Sequence, residues 1–176
     1  MPGDEFEEKG HWPVQLYIRE SRRMVSDVVI TGQDVLRHRI TDFPVALGSY
    51  AMDSHNTQYF VNEDGFANTE GGYFHRISQP FPIDYRAIVP RKGECENLLF
   101  TICVSSTHAA YGAIRLEPCY MTHGPPAGAA ASLAIDHGTS VQELGYPALR
   151  QKLTEEGIML EDEDDDPFKV NAVDDI

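Results

Sequence analysis

Cysteine is scarce in this chain, with Cys95, Cys103 and Cys119 the only ones among 176 residues. An odd number without a C-x-x-C spacing builds neither a disulfide framework nor a ribbon-type zinc site, which leaves reduced, mostly buried thiols. No apolar run approaches the roughly 20 residues that cross a bilayer. The acidic opening has neither the basic region nor the apolar run of a signal peptide, so a soluble, cytoplasmic protein is expected. Basic residues are few, 14 against 28 acids, and they form no clustered patch that would bind phosphate, which excludes a nucleic-acid partner. Fourteen glycines are present, yet none falls into the Gly-x-Gly-x-x-Gly pattern of a dinucleotide-binding turn.

What is present is one domain's worth of chain, 41% hydrophobic and able to bury a core. The net charge of -14 is unevenly placed. Residues 155–176 hold ten acids and one lysine, and residues 1–9 hold four acids and one lysine, so the body between them is nearly neutral. The run 161–166 repels itself and is expected to stay solvated and disordered. It lacks the alternating ligands and turn glycine of a calcium-binding EF-hand loop.

Along the body, residues 14–29 have neither a clean helical nor a clean strand period, because Arg19, Glu20, Arg22 and Arg23 interrupt their apolar positions. Thr31 with Asp34 three residues later forms a capping box, predicting a short helical turn over 33–37. The apolar run 43–52 ends abruptly in Asp53-Ser54-His55, which reads as a loop leaving the core. Residues 62–72 are rich in Asn, Asp, Glu and Gly and predict an exposed loop flanked by a strand pair. Segments 74–77 and 83–89 have strand composition, bounded by Pro80, Pro82 and Pro90. The continuous apolar run 97–104 predicts a strand covered on both faces.

A polar segment, Ser105-Ser106-Thr107-His108, follows that run. Small hydroxyl residues there would lie at the carboxyl edge of a sheet, where open α/β sheets bind ligands. From Glu117 the sequence reads as helix through Ile135, closed by His137 and Gly138. Gly124-Pro125-Pro126 should break it or begin a second helix, since an interior proline costs about 3 kcal/mol or more. Ala127, Gly128, Ala129, Ala130 and Ala131 have so little bulk that either another backbone or a flat ring could approach. Ser140 with Glu143 predicts a short capped helix through Leu144, and Pro147 opens another that ends at Gly157, with Leu149 and Leu153 as its apolar stripe.

Taken together, Phe81-Pro82-Ile83-Asp84-Tyr85-Arg86-Ala87-Ile88-Val89-Pro90, Asn97-Leu98-Leu99, the Ser105-x-x-His108 turn, Arg115-Leu116-Glu117-Pro118 and the small-residue helix from Gly124 to Ala131 resemble the carboxy-terminal half of the FAD-dependent oxidoreductase family. Upstream, Tyr17-Ile18-Arg19-Glu20-Ser21-Arg22-Arg23-Met24 and the stretch from Gly48-Ser49-Tyr50 to Asp53-Ser54-His55 also resemble it, so the similarity covers roughly residues 14–160. Two departures stand out: Ile102-Cys103-Val104 replaces the family's Gly-Arg-like pair, and Pro125-Pro126 replaces helix-forming residues. The family's Gly-x-Gly-x-x-Gly unit has no counterpart.

The resemblance implies an α/β chain, an incomplete part of an FAD-binding Rossmann-like fold with an attached mixed α+β segment. It divides the chain into an acidic flexible start (1–13), a substrate or cap-like segment (14–90), the carboxy-terminal part of an FAD-binding domain (91–160) and an acidic disordered tail (161–176). It implies FAD as cofactor, with Ser105, Ser106, His108, Ala127 and Gly128 beside the flavin. His55, His108 and Arg115 are the candidates for the catalytic role, with Asp53 beside His55. His108 is equally open to flavin contact, acid–base work or simple capping of a turn, and Arg115 and Arg22 to holding an anionic substrate or pairing with Glu117 and Glu20. The implied partners are a small-molecule substrate of unknown identity and a complementary amino-terminal FAD-binding segment, with no membrane. Two other classes stand beside this one: a non-catalytic structural or interaction module on the same scaffold, and a zinc hydrolase using Asp53, His55, His108 and His123, whose spacing does not place two histidines on one element.

The acidic tail has a testable consequence. Deleting residues 161–176 should leave the thermal unfolding midpoint nearly unchanged, because consecutive acids do not bury and Phe168 has few apolar neighbours. A drop of several degrees would show that Phe168 or Val170 docks on the body.

Overall fold

The computed structural model describes residues 5–12, 20 and 22–162. The segment 13–19 and most of the acidic tail, with Tyr17, Arg19, Phe168 and Val170, lie outside the described residues. Thr31 and Asp34 form the expected capping box: the Asp34 carboxylate accepts from the Thr31 amide at 2.7 Å and from its hydroxyl at 2.8 Å, while Thr31 Oγ1 accepts from the Gln33 amide. The helix they start, α1 (Gly32–Val35), is a single turn that buries Val35. Leu36 is its C-cap, and the positive φ of 60° at Arg37 turns the chain away from the helix.

The sheet material is divided into pairs. β1 (Pro44–Gly48) runs antiparallel to β6 (Phe81–Asp84), with Gly48 opposite Phe81 and Ala46 opposite Ile83. Glycine is required at position 48, because a Cβ there would fall 2.5 Å from the Phe81 ring. β2 (Met52–Ser54) pairs with β5 (Tyr73–His75), and β3 (Gln58–Val61) pairs with β4 (Ala67–Glu70) in a hairpin exposed along both strands. Asp53 and Ser54 therefore sit on a strand and not in the loop that their polarity predicts. Pairing with Phe74 and Tyr73 satisfies their backbone, so the polar side chains project from an ordered edge. The segment after β6 leaves the sheet at once, because Asp84 accepts from the Arg86 amide and caps a 3-10 turn, Tyr85–Ala87.

The run 97–104 is irregular and forms no strand. A continuous apolar run carries no period and so does not fix which side chains face inward. Here Val104 is fully buried, whereas Leu98 and Ile102 are 41% and 52% exposed. Within it Phe100 donates its amide to the Ile88 carbonyl, and Ser105, just after it, donates to that of Ala87. Ladder geometry appears only at its end, in an isolated parallel bridge between Ile30 and Ser106.

α2 (His108–Ile114) follows, capped by Thr107, whose hydroxyl accepts from the Ala110 amide. α3 (Glu117–His137) then runs as one helix through Pro125 and Pro126 and closes on Gly138 at φ 62°. The expected break does not occur. The carbonyls that lose amide donors to the two prolines belong to Met121 and Thr122, both exposed residues, so water can serve them. Gly124 also removes the Cβ that would otherwise clash with the Pro125 ring.

Residues 141–144 are a turn and not a helix. Ser140 Oγ still bonds the Glu143 carboxylate, but Gly145 already serves as the N-cap of α4 (Tyr146–Glu155) and leaves no length for another helix. α4 buries Leu149 and Leu153 completely and packs on α3, and the Tyr146 hydroxyl ties it to the Pro44 carbonyl at 2.7 Å. Phe81, Ile83, Ile88, Val104, Tyr111, Ile114, Ala130, Leu149 and Leu153 belong to one core cluster. The architecture is mixed α/β, with small unclosed sheets and a helical segment, consistent with an incomplete Rossmann-like fold. Among the described residues no helix is long and apolar enough to cross a membrane.

Between α2 and β2 the close approach is to backbone. A Cβ on Gly112 would fall 2.6 Å from the Asp53 carbonyl oxygen and 2.9 Å from its nitrogen. Alanine ordinarily favours a helix interior over glycine by about 1 kcal/mol. Gly112→Ala should nevertheless destabilise the protein by about 1–3 kcal/mol, because backbone cannot move aside as a side chain can. A urea-unfolding midpoint equal to or above that of the parent would show that α2 has room to withdraw.

Candidate functional site

The joint between β2 and α2 gathers an unusual density of polar groups. β2 presents Asp53 and Ser54, and His55 follows directly. Thr107 stops the chain for α2, which places His108 in its first turn and Arg115 at its C-cap. Gly112 between them lets the helix lie against the Asp53 backbone. Glu20 completes the group from the amino-terminal region.

Arg115 is the centre. Its side chain is only 3% exposed, and its Nη2 donates to the Asp53 carbonyl at 3.2 Å and to the Asp53 carboxylate at 3.4 Å. The Nε atom lies 3.8 Å from Glu20 Oε1, an ion-pair distance too long for a hydrogen bond, and is buried with no hydrogen-bond partner among the described residues. Asp53 also lies 3.6 Å from His55 Nε2, and the second carboxylate oxygen of Glu20 lies 3.2 Å from His108 Nδ1. His108 Nε2 is 3.2 Å from Ser54 Oγ. Tyr73, the strand partner of Ser54, donates to the His108 carbonyl at 3.4 Å and meets the imidazole edge-on. Burial, and then the nearby Glu20 carboxylate, raises the Tyr73 hydroxyl above the ordinary phenol range, so it remains a donor.

One buried cation thus sits between two carboxylates, each of which also meets a half-exposed histidine. Burying charge is tolerable only when it is paired, and here the two acids partly neutralise Arg115 while staying open enough for water to reach them. A histidine with a carboxylate on one nitrogen and a hydroxyl on the other is arranged to accept or release a proton.

The structure brings His55, His108 and Arg115 into this one cluster. Arg115 turns away from Glu117, because the latter opens α3 on the exposed side whereas Arg115 is held against β2. Ser105 and Ser106 lie just before α2 and are buried. Ser105 Oγ accepts from the Ser26 amide at 3.0 Å, and Ser106 Oγ donates to the Val104 carbonyl at 3.2 Å. Ala127 and Gly128 lie further along on α3. Ala127 is half-buried, and Gly128 is exposed with open space where its Cβ would be. These residues do not by themselves enclose a flavin ring: both serine hydroxyls are committed inside the protein and Gly128 meets no opposing wall. A cavity of about 250 Å³ lies elsewhere, between Arg37, Thr41, Leu47, Arg150 and Leu160, and shares none of the candidate residues.

Sequence reasoning did not give Ser54 or Tyr73 a role in the site, and it read Glu20 only as an ion-pair partner. A single carboxylate amid Arg19, Arg22 and Arg23 was the available signal for Glu20; Tyr73 had none, since only the β2–β5 pairing brings it to His108. His123 is also set apart from the cluster. It is fully buried in α3, 2.8 Å from the Thr101 carbonyl and 3.8 Å from Cys119 Sγ. Burial lowers the His123 pKa and pushes the Cys119 thiol up to about 12, so this pair is neutral packing and no nucleophile. Among the described residues no group of three or more His, Cys, Asp or Glu is placed to hold a metal ion.

A family model described as FAD dependent oxidoreductase matches residues 1–153. No curated protein and no solved structure matches the chain.

Removing the central cation tests how much of the cluster depends on it. Arg115→Met should cost about 3 kcal/mol of stability, because Asp53 and Glu20 would be left facing each other with their shared counter-charge gone. Denaturant unfolding measures it. A loss below about 1 kcal/mol would put the pairings in the class of surface ion pairs and remove Arg115 from the centre of the site.

Proposed function

Because the chain belongs to the FAD-dependent oxidoreductase family, we propose that it forms the substrate-facing and ring-facing part of such an enzyme, in which hydride passes from a small-molecule substrate to FAD. The observation that carries this reading is the assembly of His55, His108 and Arg115 around Asp53, Glu20 and Ser54 at one sheet edge. Oxidation of an alcohol or amine removes a hydride from carbon and leaves a proton on oxygen or nitrogen. His108, backed by the Glu20 carboxylate, is suited to take that proton. Arg115 is buried and engaged, so it holds the carboxylates in place, while the half-exposed His55 is the group that meets solvent or an anionic part of the substrate.

Ser105, Ser106, His108, Ala127 and Gly128 are the proposed flavin-side residues, and the present arrangement sets a condition on them. The 176 residues contain no Gly-x-Gly-x-x-Gly turn to grip the pyrophosphate, and the serine hydroxyls are turned inward. A complementary FAD-binding segment with such a turn, placing a helix amino end on the phosphates, is therefore part of the proposal. The three cysteines are free, which supports a cytoplasmic setting. The inward-turned serines also favour the second reading, a structural or interaction module on the family scaffold that captures no flavin.

Equilibrium dialysis separates the two. The chain alone should bind FAD weakly or not at all, while the chain combined with a segment carrying the glycine turn should bind it stoichiometrically and turn yellow. Tight binding by the chain alone would overturn the need for a second half-site. Failure of the combined protein to hold flavin would leave the non-catalytic module as the function.

A further inference from the structure

Three groups within hydrogen-bond reach of one another form the most specific piece of chemistry in the cluster. Glu20 Oε2 lies 3.2 Å from His108 Nδ1, Ser54 Oγ lies 3.2 Å from His108 Nε2, and the same Ser54 oxygen lies 3.3 Å from Glu20 Oε1. Both imidazole nitrogens are thus engaged, one by an acceptor that carries no proton and one by a hydroxyl that carries a single proton. A carboxylate accepts only, so the Glu20 carboxylate at ion-pair distance favours the neutral imidazole with its N–H at Nδ1. Its lone pair is then at Nε2, where Ser54 supplies the donor. Ser54 can equally point its proton at Glu20 Oε1, and the change requires only rotation of the hydroxyl about its Cβ–Oγ bond.

The order carboxylate, imidazole, hydroxyl is also that of a nucleophilic triad. Here Ser54 is 4% exposed, on a strand flanked by Tyr73. Its oxygen is withheld from an electrophile of any size, whereas the His108 side chain is 48% exposed. The member open to solvent is the imidazole.

We propose that Glu20 is a positioning residue that fixes His108 as the Nδ1–H tautomer and keeps Nε2 as its accepting nitrogen, with the Ser54 hydroxyl covering that nitrogen in the free protein. When the hydroxyl turns to Nε2, the lone pair is capped. A substrate O–H or N–H that takes the place of the Ser54 hydroxyl at Nε2 passes its proton to that nitrogen, and the carboxylate at Nδ1 stabilises the imidazolium formed. The proton leaves the substrate heteroatom, bonds to Nε2, and no other bond changes in this step. The inference rests on the reading of His108 as an acid–base group, yet the tautomer it specifies exists with or without flavin.

The test is a two-bond nitrogen–carbon NMR correlation on the 176-residue chain labelled at histidine, at alkaline pH where the imidazole is neutral. His108 should show Nδ1 as the N–H nitrogen and Nε2 as the bare one. Glu20→Ala should convert this to a mixture of tautomers. Glu20→Gln, which can still present an amide oxygen to Nδ1, should restore the Nδ1–H form. Ser54→Ala should leave the tautomer unchanged, since Glu20 sets it. Amide spectra of each variant report whether the fold is intact, and Glu20→Gln and Ser54→Ala supply the comparison if Glu20→Ala does not fold. An Nε2–H form in the parent, or a Glu20→Ala spectrum with intact fold and unchanged tautomer, would overturn the proposal. A correct tautomer in a protein that never binds flavin would sustain the positioning and count against the oxidoreductase reading alone.

Discussion

The buried guanidinium of Arg115 is the constraint on which the site depends. It caps the carboxyl end of α2 with its side chain almost wholly out of water, and its partners are the Asp53 carbonyl and carboxylate on β2 and the Glu20 carboxylate. A buried arginine cannot shed its proton, so the acids must stay near it. That requirement fixes the helix against the strand, holds Glu20 beside them, and through Glu20 orients His108 at the other end of the same helix. Gly112 makes the contact possible, because any side chain there would enter the Asp53 backbone.

The rest of the molecule serves to hold this joint in register. β2 is a short strand that relies on β5 for its pairing, and β5 also supplies Tyr73 to the His108 carbonyl. α2 is followed immediately by α3, which with α4 buries Ala130, Leu149 and Leu153 and anchors the helical side. The Tyr111 hydroxyl, on the face of α2 inside the core, lies 2.8 Å from that of Tyr120 on α3. Polar chemistry is therefore placed on one edge, where two half-exposed histidines face solvent while their supporting carboxylates and cation are largely inside.

Much of this was legible in local sequence chemistry. Thr31 with Asp34, Gly138 after α3, Pro147 near the start of α4, and the Leu149–Leu153 spacing each act within a few residues, and each produced the element they imply. What was illegible depended on distant partners. The apolar run 97–104 had no period to fix its inward face, and it is irregular, with the Phe100 amide on the Ile88 carbonyl instead of in a ladder. The prolines of α3 were tolerated because the orphaned carbonyls fall on its exposed side. Asp53 and His55 were readable as a pair, and the pair forms at 3.6 Å. The roles of Ser54 and Tyr73 arise from the β2–β5 register, which no local pattern encodes.

The central claim is that the edge formed by β2 and the start of α2 is the face this chain turns toward flavin and substrate. Hydrogen exchange on the chain, measured free and in complex with a flavin-loaded segment carrying the glycine turn, tests it most directly. The account predicts added protection concentrated at residues 52–55 and 105–115. Protection confined to the exposed β3–β4 hairpin or to α4, with residues 52–55 and 105–115 unchanged, would contradict it.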